Sequence, residues 1–112
     1  VIQRAATEDW TLSTTWPCVV EASHLLGVPQ RFAMLRWVAT PTVSVYPFTQ
    51  GDLETMVASM RHWSTSPRVE MDLADASLLW LAEETGVTRV LTTDVRDFSR
   101  YRLQDGRAFE IV

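Results

Sequence analysis

The stretch at residues 71–98 constrains the fold more than any other part of the chain. Apolar residues recur there at helical spacing after Asp72, which can cap a helix, and Gly86 suits the left-handed position that ends one. Residues 90–91 then favour a short buried strand, and Asp94 follows it. Because a helix leading into a strand is half of a βαβ unit, the stretch predicts an α/β fold. Ligands of such folds bind beyond the carboxyl ends of strands, where Asp94 would lie.

The remaining chain alternates between strand and helix patterns. We predict strands at 10–15, 42–48 and 108–112, helices at 17–27, 28–38 and 49–63, a short turn or helix at 96–102, and the end of a helix at 1–6. Thr49 is expected to cap the helix at 49–63. This alternation is typical of an α/β domain with a mainly parallel sheet. At 112 residues the chain can build one core, so we expect residues 1–112 to form a single domain.

Composition excludes several classes of protein. The sequence has no apolar run long enough to span a membrane and no secretory signal pattern, and Cys18 is its single cysteine, so we expect a cytoplasmic protein without a disulfide or a cysteine zinc site. The absence of lysine excludes a P-loop, a receiver-type phosphoacceptor site and a Schiff base. The net charge of −4 argues against a protein that coats nucleic acid. It does not exclude a nuclease, because a bound metal ion reverses the local charge of an acidic site.

Four acids stand where site residues are expected: Glu21, Asp75, Asp94 and Asp97. Carboxylates are the preferred ligands of Mg²⁺ and Mn²⁺, which activate bound water and stabilise charge on a phosphate. Our hypothesis is that Asp75 and Asp94 face one another across a metal site. Plainer roles remain open for all four: helix capping for Asp75, a turn after a strand for Asp94, pairing with an arginine for Glu21, and simple solvation for Asp97.

Three segments of the chain resemble PIN-domain proteins, especially the VapC-type toxin ribonucleases. One segment resembles the C-terminal half of those proteins: Asp72-Leu73-Ala74-Asp75-Ala76, followed by Leu91-Thr92-Thr93-Asp94 and Asp97-Phe98. The family's second strand and glutamate-bearing helix resemble Leu12-Ser13-Thr14-Thr15 and Glu21-Ala22-Ser23-His24-Leu25-Leu26. Its tail resembles Arg102 and Gly106-Arg107-Ala108-Phe109. Together the segments extend over about residues 10–112.

The resemblance implies a Mg²⁺- or Mn²⁺-dependent endoribonuclease with a PIN-like three-layer α/β/α fold. By position, Glu21, Asp75 and Asp94 match the family's catalytic and metal-binding acids, and Asp97 matches a frequent extra acid beside the site. Thr92 matches the motif threonine, which would hydrogen-bond a carboxylate or a metal-bound water. The resemblance also implies the toxin of a type II toxin–antitoxin pair, which cleaves RNA, forms a homodimer and is blocked by a cognate antitoxin.

The family's first strand has no match in this chain. That strand ends in an aspartate that is a central metal ligand, and Asp9 cannot replace it because Asp9 precedes the strand predicted at 10–15. We expect the missing strand to lie upstream of Val1 or to come from another copy of the chain. The alternative is a rearranged and catalytically inactive PIN-like domain that acts by binding a protein partner.

Overall fold

The computed structural model describes residues 11–112, so the helix end predicted at 1–6 and Asp9 lie outside the described residues. The chain divides into two compact units, Val1–Phe48 and Thr49–Val112. Each unit has its own helices and its own pair of strands. The organisation of residues 1–112 as a single domain stays a prediction.

In its described part, residues 11–48, the first unit is a strand–helix–helix–strand arrangement. Its elements are β1 (Leu12–Thr14), α1 (Trp16–Leu25), α2 (Val28–Val38) and β2 (Val43–Val45). The two strands pair in parallel, with Leu12 opposite Val43, and the two helices supply the crossover that parallel pairing needs. Both strands are shorter than the predicted ranges 10–15 and 42–48. Thr15 ends the first one, because it is already the N-cap residue of α1.

The second unit contains three helices and a second strand pair. Its elements are α3 (Asp52–Trp63), α4 (Leu73–Thr85), β3 (Arg89–Val90), α5 (Val95–Arg100) and β4 (Glu110–Ile111). β3 and β4 pair in parallel, with Arg89 opposite Glu110. The buried residues of this unit include Met56, Leu79, Phe98 and Tyr101. The described chain is therefore mixed α/β with parallel strand pairs, as the alternation of patterns predicted.

The limits of α4 follow from the two residues that flank it. The Asp72 carboxylate accepts a hydrogen bond of 2.8 Å from the backbone N–H of Asp75, which satisfies one of the unpaired donors of the first turn. At the other end, Gly86 has a φ of 74°, and its N–H donates to the Ala82 carbonyl at 2.8 Å. The predicted cap and stop are both confirmed. The cap also fixes the backbone of Asp75 at the start of the helix.

Two local predictions are wrong. Thr49 does not cap α3, which begins at Asp52; the Asp52 carboxylate instead accepts hydrogen bonds from the backbone N–H and the hydroxyl of Thr49, at 2.7 and 3.1 Å. Leu91 was expected in the third strand, but β3 ends at Val90.

Within residues 11–112, none of the helices has the length and apolar character needed to cross a bilayer.

Candidate metal centre

Asp75 is held from two directions in the first turn of α4. Its backbone N–H is bound by the Asp72 cap, and its carboxylate oxygen Oδ2 accepts a hydrogen bond of 2.8 Å from the hydroxyl of Tyr101. Tyr101 directly follows α5 and is fully buried, with its ring edge-on to those of Trp63 and Phe98. The packed Tyr101 ring therefore fixes the position of the hydroxyl that binds the Asp75 carboxylate.

Asp94 and Asp97 lie at the start of α5, after the end of β3. Asp94 is the N-cap residue, and its Oδ1 accepts a hydrogen bond of 3.2 Å from the backbone N–H of Asp97. The Thr92 hydroxyl accepts a hydrogen bond of 3.0 Å from the backbone N–H of Asp94, which stabilises the turn between β3 and α5. The turn and the cap together place both acids at the carboxyl end of β3, where the sequence predicted a site.

The three aspartates converge on one point. One carboxylate oxygen from each of Asp75, Asp94 and Asp97 can be chosen such that all three atoms lie within 4.8 Å of one another. Oxygens that share a Mg²⁺ ion with bonds of about 2.1 Å in octahedral geometry lie roughly 3–4 Å apart, so small rotations of the side chains would bring them into range. The donor set is purely carboxylate, which fits a hard divalent cation.

The electrostatics of the cluster also favour a cation. Partial loss of water around the Asp94 carboxyl raises its pKa above the ordinary value, while the hydrogen bond from the Asp97 backbone acts in the opposite direction. The side chain of Asp97 and the negative charge of Asp72 raise the Asp94 pKa further. A divalent cation bound among these acids would relieve the repulsion that disfavours the ionised form.

Two further residues, Tyr101 and Arg100, support the cluster, and the sequence patterns do not indicate either role. Arg100 Nε donates to Asp97 Oδ1 at 3.3 Å and its Nη1 donates to the Trp63 carbonyl at 2.8 Å, so the guanidinium links α5 to the end of α3. It also lies over the Tyr101 ring, 4.9 Å from the centroid. Because Arg100 is bound both to Asp97 and to the backbone, its guanidinium holds the Asp97 carboxylate in position.

Burial and negative charge keep Tyr101 a hydrogen-bond donor. Burial is the largest cause that raises the pKa of its hydroxyl, followed by the hydrogen bond to Asp75 and the charges of Asp75 and Asp97, with Arg100 acting in the opposite direction. The hydroxyl therefore stays protonated at neutral pH. No sequence pattern could have indicated this contact, because Tyr101 and Asp75 are 26 positions apart.

The five predicted site residues have different outcomes. The structure brings Asp75, Asp94 and Asp97 together, and it places Thr92 against the backbone of Asp94. Glu21 lies on α1, in the first unit, and is exposed. Its assignment to the same site stays a prediction.

Comparison of the sequence with models of known protein families and with curated proteins finds no match.

Proposed function

We propose that the chain is a metal-dependent endoribonuclease of the PIN-like type, the toxin of a type II toxin–antitoxin pair. The observation that carries the proposal is the convergence of Asp75, Asp94 and Asp97, whose ligand oxygens lie within 4.8 Å of one another. Three carboxylates from two separate elements, gathered after the end of a parallel strand, form the kind of site that phosphodiester hydrolysis requires.

In this proposal each described residue has a distinct task. Asp75, Asp94 and Asp97 hold one or two Mg²⁺ or Mn²⁺ ions. A bound ion of this kind lowers the pKa of a coordinated water and stabilises charge on the phosphate. Tyr101 keeps the Asp75 carboxylate oriented, and Arg100 does the same for Asp97. The turn bonded by Thr92 presents Asp94.

The three-layer α/β/α architecture belongs to the same proposal. It is supported by the order of strands and helices and by the two parallel strand pairs. The chain has one cysteine, Cys18, which fits the reducing cytoplasm that we propose as the compartment.

A cognate antitoxin and a second copy of the chain are the protein partners that we propose beside RNA. None of the 11 described residues of α2 is buried, and Val28, Phe32 and Leu35 are 53%, 60% and 39% exposed. These residues follow the i, i+4, i+7 spacing of one helix face. An apolar face of this kind supports contact with another protein.

Asparagine substitutions in the cluster provide the test. Asp75→Asn and Asp94→Asn keep the shape of each side chain but remove a charged ligand. Each should reduce Mg²⁺- or Mn²⁺-dependent cleavage of RNA by more than about 10–100-fold, the usual effect of losing a mere outer-shell partner. Asp105→Asn is the matched control, because Asp105 pairs with Arg107 in an exposed turn outside the cluster. Undiminished cleavage by both cluster variants would refute the proposal.

The exposed face of α2 favours a second candidate function: an inactive PIN-like domain that works by binding a protein. Calorimetric titration of the purified chain with Mn²⁺ separates the two candidates. Heat of binding that disappears in Asp75→Asn supports the nuclease. Absence of binding at millimolar Mn²⁺ supports the inactive domain.

A further inference from the structure

A groove between α3 and α4 shares no residue with the carboxylate cluster. Its volume is about 710 Å³, within the usual range of ligand-binding clefts. The deepest lining residues are apolar: Met56, Leu79 and Leu103 are 1%, 5% and 4% exposed. All the lining residues belong to the unit Thr49–Val112.

One aromatic and two acidic side chains lie along the α4 side of the groove. Trp80, Glu83 and Glu84 all line it, and their i, i+3 and i+4 spacing places them on one face of α4. Trp63 lines the opposite side, at the end of α3. The groove therefore has two half-buried indoles, with carboxylates one helical turn from one of them.

The lining is negatively charged, and two of its acids are held in place. The Glu83 carboxylate accepts a hydrogen bond of 3.0 Å from the Gln104 backbone, and Asp52 accepts two from Thr49. Arg102 is the one arginine among the described lining residues. Its Nη1 donates to the backbone carbonyls of Ser99 and Tyr101, each at 2.8 Å. Three carboxylates thus face the groove against one guanidinium that is bound to backbone.

We propose that this groove binds an arginine side chain of a protein partner. A guanidinium stacks on indole faces and binds carboxylates through parallel hydrogen bonds, and Trp80 and Glu84 offer both within one turn of helix. The aliphatic part of arginine would lie over the floor of the groove, where Met56, Leu79 and Leu103 leave only a small apolar surface. A nucleic-acid backbone is the wrong occupant, because its phosphates would meet Asp52, Glu83 and Glu84. This inference is independent of the ribonuclease proposal.

The test is an NMR titration of the full chain with the peptide acetyl-Leu-Arg-Leu-amide. The indole N–H signals, assigned by Trp→Phe variants, should shift for Trp63 and Trp80, while Trp16 and Trp37, which do not line the groove, keep theirs. The same peptide with citrulline, a neutral isostere of arginine, should bind about tenfold more weakly.

Glu84→Gln should weaken binding of the arginine peptide about two- to fivefold, the effect of one partly exposed ion pair. Glu54→Gln is the matched control, because Glu54 is exposed on α3 and does not line the groove. Equal binding of the citrulline peptide, equal effects of the two variants, or no shift up to about 10 mM peptide would overturn the proposal. Shifts of Trp63 and Trp80 with a short RNA but not with the arginine peptide would also overturn it.

Discussion

Tyr101→Phe isolates the hydrogen bond that orients Asp75. The substitution removes one hydroxyl and leaves the ring, which keeps its contacts with Trp63 and Phe98. A hydrogen bond to a charged acceptor contributes about 1.5–3 kcal/mol. The lower end applies here, because Asp75 is half-buried and water can replace part of the lost contact. We therefore expect the free energy of unfolding to fall by about 1.5 kcal/mol at pH 7.

Urea unfolding followed at the indole signals of Trp63 and Trp80 measures this loss, because both residues lie in the same unit as Tyr101. Tyr46→Phe is the control, since Tyr46 is the only other tyrosine, is 37% exposed, and lies in the other unit. A change below about 0.5 kcal/mol would show that the bond to Asp75 makes no net contribution. If Asp75 binds Mn²⁺, the calorimetric affinity should also fall at least about tenfold in Tyr101→Phe, and an unchanged affinity would refute the orienting role.

Two further predictions concern pH and backbone conformation. Tyr101 ionises near pH 10 in the unfolded chain, whereas its raised pKa keeps it protonated in the fold. The free energy of unfolding should therefore fall above about pH 10 by up to about 1.4 kcal/mol per pH unit. Urea midpoints measured against pH should show this fall in the original chain and not in Tyr101→Phe. Gly86→Ala should lower the free energy of unfolding by about 1–2 kcal/mol, because alanine is strained at a φ of 74°. No atom lies within 4 Å of the added Cβ, so the backbone strain is the whole cost. Gly51→Ala, at a φ of −63°, should cost less.

The sequence predicted α4 well because its boundaries depend on local chemistry. Asp72 and Gly86 act on the backbone of their own neighbourhood, so their effects can be inferred from spacing alone. The start of α3 was harder, since Thr49 and Asp52 are both capping residue types. In the structure Asp52 is the acceptor and Thr49 the donor, a choice that residue type alone does not determine.

The short strands and the contacts that support the site depend on residues distant in the sequence, so sequence patterns do not predict them. β3 and β4 have two residues each, and their existence depends on pairing with each other across α5 rather than on β-propensity. The hydrogen bond between Tyr101 and Asp75 likewise joins residues that are distant in the sequence. The positions of the acids were predictable, because caps and strand ends are local features, whereas the groups that orient them were not.

Asp94 has a structural role as the cap of α5 and a proposed role as a metal ligand, and one substitution can separate them. An asparagine would cap α5 about as well as aspartate, without the negative charge that Asp94 places beside Asp97 and Asp72. Because the Asp94 pKa is raised in the fold, its ionised form opposes folding, and this contribution grows as the pH rises through that pKa. The proposed metal site requires the charge of Asp94, whereas the cap does not. Replacement by asparagine therefore tests the two roles separately.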